Sequence, residues 1–168
     1  MWSAARHARR LINRDLGLMG ASDLAGVVSF IEEKRGRRIV VRRIPLPPEV
    51  SAFCVQGMEF DIVVVDSSAG ELMQTHATLH ELYHLWEEHP AEDGDHDLKM
   101  DEETVRLLLP GLRPEAVLRI LARSHYSKTV ERGAETFATI MLQRLRLSGG
   151  WSSDGSVAST MSHRSAGV

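Results

Sequence analysis

Cysteine is nearly missing from this sequence: Cys54 is the only one in 168 residues. A single thiol closes no internal disulfide and builds neither a cysteine-rich zinc ribbon nor an iron–sulfur cluster. Aromatic residues are scarce at 5%, which leaves little for the stacking platforms that single-strand nucleic-acid binders use. Neither a helix-turn-helix nor an aromatic RNA-binding pattern is visible, so direct nucleic-acid binding is not expected. No apolar run approaches the roughly 18 residues of a membrane span. The start, MWSAARHARRLINRDLG, has no apolar segment of the secretory kind. The expectation is a soluble, cytoplasmic protein with no membrane partner.

What remains is an ordinary globular composition, 43% hydrophobic, at a length that suits one domain. The net charge of −3 hides an uneven distribution. Residues 1–43 hold ten of the 20 Lys and Arg, among them Lys34, Arg35, Arg37, Arg38, Arg42 and Arg43. Between Ile44 and Leu98 there is no Lys or Arg but there are twelve Asp and Glu. Such an asymmetry either neutralises itself across the fold or attracts a charged partner.

Helical spacing predicts a basic helix over 3–16 and a second helix capped by Ser22 or Asp23 and ended by Gly36. Arg38–Ile44 and Ser51–Gln56 read as strands, and the β-branched run Asp61–Val65 reads as the central one. Their closeness suggests a small, mainly antiparallel, meander-like sheet. Ser67 or Ser68 is placed to cap a helix over 71–88. An acidic loop over 87–103 follows, then a helix after Pro114 and a longer one over 129–147. Residues 149–168, rich in Ser and Gly, read as a disordered tail after a single domain over 1–148.

One motif carries chemistry by itself: His80-Glu81-Leu82-Tyr83-His84. On a helix, residues four apart lie about 40° apart around the axis, so both imidazoles can reach one metal ion. Glu81 projects beside the metal, where it can serve as general base towards a water. Leu72, Leu79, Tyr83 and Trp86 form an apolar stripe that supports the helical reading. His76, one turn earlier, shares the histidine face as a substrate contact or a partly exposed residue. For the third ligand, the metzincin extension is excluded by Glu87 and Pro90. His89 would require a bend straight after the helix. A carboxylate within Thr129–Met141, Glu131 or Glu135, completes a two-histidine, one-carboxylate site more naturally.

The segments IEEKRG, DIVVVD, THATLHELYHLW and ERGAETFATIML together resemble the ImmA/IrrE family of zinc metallopeptidases, over about residues 22–147. The resemblance implies an α+β, zincin-like domain with the HExxH helix at its centre. It implies Zn2+ held by His80, His84 and Glu131, and Glu81 as catalytic base. It further implies an endopeptidase that cleaves a helix-turn-helix repressor or antitoxin partner. The rival expectation is a non-proteolytic, zinc-containing binding module that docks onto such a repressor. Tyr83 and Glu135 depart from the family pattern, which commonly has a small residue and Asn there. Tyr126 and His125, just ahead of the last helix, are candidates to stabilise an oxyanion.

The choice between Glu131 and Glu135 can also be made from helix geometry. The apolar stripe Val130, Ala134, Phe137, Ala138, Met141, Leu142 and Leu145 is centred roughly 40° round from Val130. Glu131 then lies about 60° from that centre and Glu135 about 100° away, further towards solvent. Glu131 is the expected ligand, and Glu135 is expected to act one layer out.

Overall fold

The computed structural model describes residues 3–16, 20–56, 60–88, 102–110, 113–115, 117 and 126–148. Helix α1 (Ser3–Leu11) runs into a π-helical turn over Ile12–Leu16. Helix α2 (Leu24–Arg35) starts at Asp23, whose carboxylate accepts the Gly26 amide at 2.7 Å. It stops at Gly36, where φ is +64°, a left-handed conformation that glycine adopts without steric cost. Strands β1 (Arg38–Ile44), β2 (Ala52–Gln56) and β3 (Phe60–Asp66) follow. Then come α3 (Glu71–Trp86), α4 (Glu102–Leu108) and α5 (Lys128–Leu147). The architecture is α+β. The expected tail, residues 149–168, lies outside the described residues, as does most of the helix expected after Pro114.

The sheet corrects the meander expectation. Its order is β1-β3-β2, with β3 antiparallel to β2 but parallel to β1, so the sheet is mixed rather than mainly antiparallel. The cause is visible in the connection between β1 and β2. Pro45, Pro47 and Pro48 rule out a tight hairpin there, and the seven-residue link from 45 to 51 is long enough to step past one strand. The β-branched β3 then takes the middle, where both of its faces are covered.

Those two faces define two cores. Val63 and Val65 join Ile39 and the helices in a main core with Val27, Ile31, Leu79, Leu82, Phe137 and Met141. Ile62 and Val64 join Phe53 and Val55 against Val105, Leu109 and Val117. Helix α4, which carries Val105, is not anticipated from sequence, where Glu102 and Glu103 read as the end of an acidic loop. Acidic residues in a first helical turn are favourable.

At the start of α3, the expected serine cap is replaced. The N-cap is Gly70 and makes no side-chain cap bond. Ser68 is occupied elsewhere, donating its hydroxyl to Asp66 at 2.6 Å. Gln74 reaches back instead, donating to the Ala69 carbonyl at 2.6 Å. The other end of α3 is fixed by Arg35, which donates to the Leu85 carbonyl and pairs with the fully buried Asp61 at 2.8 Å. Arg37 lies 3.3 Å from the other Asp61 oxygen, and Arg35 lies 3.4 Å from Glu88. Part of the N-terminal positive charge is thereby neutralised by the acidic stretch.

Helices α3 and α5 pack closely because α5 offers Gly133, Ala134 and Ala138 to the contact. A Cβ at Gly133 would stand 2.7 Å from Tyr83 Oη and 3.2 Å from its Cζ. The large residue before His84 is therefore accommodated by a missing side chain on the facing helix. Gly133→Ala should lower stability by about 1–2 kcal/mol, overpacking being partly offset by improved helix propensity. Adding Tyr83→Phe, which removes the nearest atom, should recover part of the loss in urea denaturation. A Gly133→Ala protein as stable as its parent would contradict the close fit.

Candidate metal centre

Helix α3 presents His80 and His84 to the same point, with their Nε2 atoms 3.1 Å apart. From α5, Glu131 places one carboxylate oxygen 3.2 Å from His80 Nε2 and the other 3.8 Å from His84 Nε2. Tetrahedral ligands at about 2.0–2.1 Å from an ion lie about 3.3 Å from one another. The two imidazole nitrogens match that spacing; with one atom from each residue, the three donors lie within 4.8 Å of one another, a group that could hold a metal ion. Their chemistry, two imidazole nitrogens and a carboxylate, suits a divalent transition metal.

Burial is graded around this point. The His84 side chain is 1% exposed, His80 20% and Glu131 42%, so the group opens to solvent on the Glu131 side. Glu135 is further out at 64%, with its carboxylate 3.7 Å from His80 Nδ1 and 3.5 Å from His76 Nε2. His76 also meets the Thr139 hydroxyl at 3.4 Å. Glu135 thus faces the ring nitrogen of His80 opposite to Nε2. This is where an outer carboxylate fixes the tautomer of a ligating histidine.

Electrostatics follow from that crowding. Burial alone would lower the His80 pKa, but the Glu131 hydrogen bond and the charges of Glu81, Glu131 and Glu135 raise it overall. A metal must therefore displace a proton held more tightly than in free imidazole, whose pKa is about 6.5. Metal affinity should fall about tenfold for each unit by which pH drops below the raised pKa. The same shift stabilises the metal-free fold at acid pH, a contribution lost as pH rises through the raised pKa. Chelator competition between pH 6 and 8, about the range concerned, tests this; an affinity flat with pH would refute it.

Glu81 turns towards β2. It lies beside Cys54, whose thiol and backbone amide favour its charged form. Burial raises the Glu81 pKa, and the His80 charge and the Cys54 contacts only partly offset it. Cys54 lies opposite Val63 in the ladder and shares its face, towards α3. Burial, reinforced by the Glu81 charge, pushes its thiol well up.

Tyr126 stacks on His84, with ring centroids 3.7 Å apart and planes within 9°. Its hydroxyl lies 4.0 Å from Cys54 Sγ, and burial raises its pKa far above the usual phenol value. His125 and His89, the other histidines considered from sequence, lie outside the described residues.

Sequence reasoning brought His80, Glu81, His84, Glu131 and Tyr126 to attention, and the structure gathers all five around one point. It missed Cys54 as a partner of Glu81. The available signal was strand alternation, which places Cys54 on the face of β2 turned to α3. It also missed Thr139, one turn after Glu135. No family model matches the chain, nor does any curated protein or solved structure.

Proposed function

We propose that this chain is a zinc-dependent endopeptidase with a zincin-like centre, of the kind its motifs resemble in the ImmA/IrrE family. The observation that carries the reading is that His80, His84 and Glu131 bring one donor atom each within 4.8 Å of one another, with a glutamate next to the first ligand. When bound, the ion would supply a Lewis acid and lower the pKa of water at the site. A site of two histidines and one carboxylate also serves iron and manganese; zinc is favoured by the HExxH motif with a distant Glu.

The chain's own residues have definable tasks. Glu81 takes a proton from the attacking water and returns it to the leaving amine. Its raised pKa brings it closer to neutral pH, where such exchange is efficient. Cys54, on the facing strand, lies beside the carboxylate and favours its charged form. Tyr126 stays protonated across the physiological range, so its hydroxyl can donate a hydrogen bond to a developing oxyanion.

The substrate proposed is a helix-turn-helix repressor or antitoxin, which rests on the family resemblance. The test is to incubate zinc-loaded protein with the helix-turn-helix protein encoded nearest to it and to identify products by mass spectrometry. A defined cut, abolished by chelation, is expected. A stable complex with the partner left intact would favour the non-proteolytic binding module.

A further inference from the structure

We propose that the outer edge of β1, unpaired among the described strands, is a docking surface for an acidic, extended segment of a partner protein, taken up as an added strand. This surface is separate from the metal centre and stands whether or not that centre cuts peptides.

Strand β1 is an outer strand of the sheet, and all seven of its residues run in unbroken register with β3, from Arg38↔Phe60 to Ile44↔Asp66. Its main-chain groups alternate in direction. The Ile44 carbonyl accepts from Ser67, on the β3 side. The Ile39 amide is taken by Glu32 at 2.7 Å, away from β3. Strand alternation then turns the amides and carbonyls of Val41 and Arg43 outward as well. No described strand pairs with them. Sheet edges are ordinarily protected by bulges, proline, charged side chains, a cover or very short length; the protection here is positive charge, which repels a basic strand and admits an acidic one. This edge is regular through Val40, Val41, Arg42 and Arg43.

The side chains along it select the occupant. Arg38, Arg42 and Arg43 are all exposed, and none forms an ion pair or side-chain hydrogen bond among the described residues. The acids nearest in sequence pattern are used by Arg35 and Arg37 instead. Arg38 and Arg42 share one face of the strand with Val40 between them, and Arg43 points to the other. A complementary antiparallel strand carries two adjacent acids opposite Arg43 and Arg42, an apolar residue opposite Val40 and a third acid opposite Arg38. A second copy of this chain, paired edge to edge, would bring two arginine-bearing strands together, which like charge disfavours. A nucleic acid would meet the charge but leave the outward main-chain groups without a ladder.

Strand β3 separates this edge from β2, where Cys54 meets Glu81, so the two surfaces lie about 10 Å apart across the sheet. A partner held at β1 leaves the metal centre free.

The test uses fluorescence anisotropy with the full chain and a labelled peptide, EETVTE, capped at both ends. Binding is expected, weakened at least tenfold by the double variant Arg42→Glu, Arg43→Glu, which should in turn bind KKTVTK. The milder pair Arg38→Ala, Arg42→Ala should also weaken binding, and thermal melts of both variants establish that they fold. EETVTE methylated on alternate backbone nitrogens should lose binding, because the ladder cannot form. Absence of EETVTE binding, equal binding of the methylated peptide, or stronger binding of a DNA duplex through the same arginines would each overturn the proposal.

Discussion

Glu81→Gln is expected to leave the metal in place and to reduce cleavage by about two to four orders of magnitude. The amide has nearly the shape of the carboxylate, and neither His80 nor His84 depends on it for its position. It cannot accept a proton, so the step assigned to Glu81 fails. Two measurements on one preparation decide this: metal content per chain and the rate of product formation on the partner protein. Retained cleavage would move the base elsewhere. Lost metal would show that Glu81 belongs to the ligand set. Cys54 lies beside Glu81 and favours its charged form, and Gln, of nearly the same shape, keeps that contact. The variant therefore separates proton transfer from positioning.

The largest effect on stability is expected from Arg35→Met. Asp61 is fully buried, and Arg35, itself only 5% exposed, is its closest ionic partner. Removing the guanidinium leaves Arg37, which is 32% exposed and reaches the carboxylate at 3.3 Å, as its one ionic partner among the described residues. A buried charge that loses its main partner costs about 3–5 kcal/mol. The Leu85 carbonyl at the end of α3 loses its donor as well. The double variant Arg35→Met, Asp61→Leu removes both charges and should be clearly more stable than Arg35→Met alone, since a buried pair replaced by apolar groups is often near neutral. Urea denaturation of the parent and these two variants measures the difference. If Arg35→Met were as stable as the parent, the pair would not be what joins α2, β3 and the end of α3.

That junction was not legible in the sequence. Lys34, Arg35, Arg37 and Arg38 read there as one basic run, yet Arg35 is buried on Asp61 while Arg38 lies exposed on β1. Only the turn at Gly36 and the start of β1 separate their directions. The elements themselves were readable because they obey local rules. Asp23 and Gly36 mark the ends of α2, and the continuous apolar β3 needs cover on both faces. Strand direction was not readable, since it depends on how the proline-rich link crosses the sheet. Helix α4 was hidden because acids that suit a helix start also suit a loop.

The group that could hold a metal ion was the most legible part. The spacing of His80 and His84 is a local property of a helix, and the placing of Glu131 followed from the stripe on its own helix. The Cys54–Glu81 contact was not, because it joins a strand to a helix and requires knowing which face of β2 turns inward.

The central claim is that His80, His84 and Glu131 form one metal site. Its most direct test is titration of metal-free protein with zinc against a chromophoric chelator, alongside His84→Ala, Glu131→Gln and Glu135→Gln. About one ion per chain is expected in the parent. Tight binding should be lost in His84→Ala, affinity should fall about tenfold or more in Glu131→Gln, and the change should be smaller in Glu135→Gln. A parent that takes up no metal, or a Glu135→Gln protein impaired more than Glu131→Gln, would contradict it.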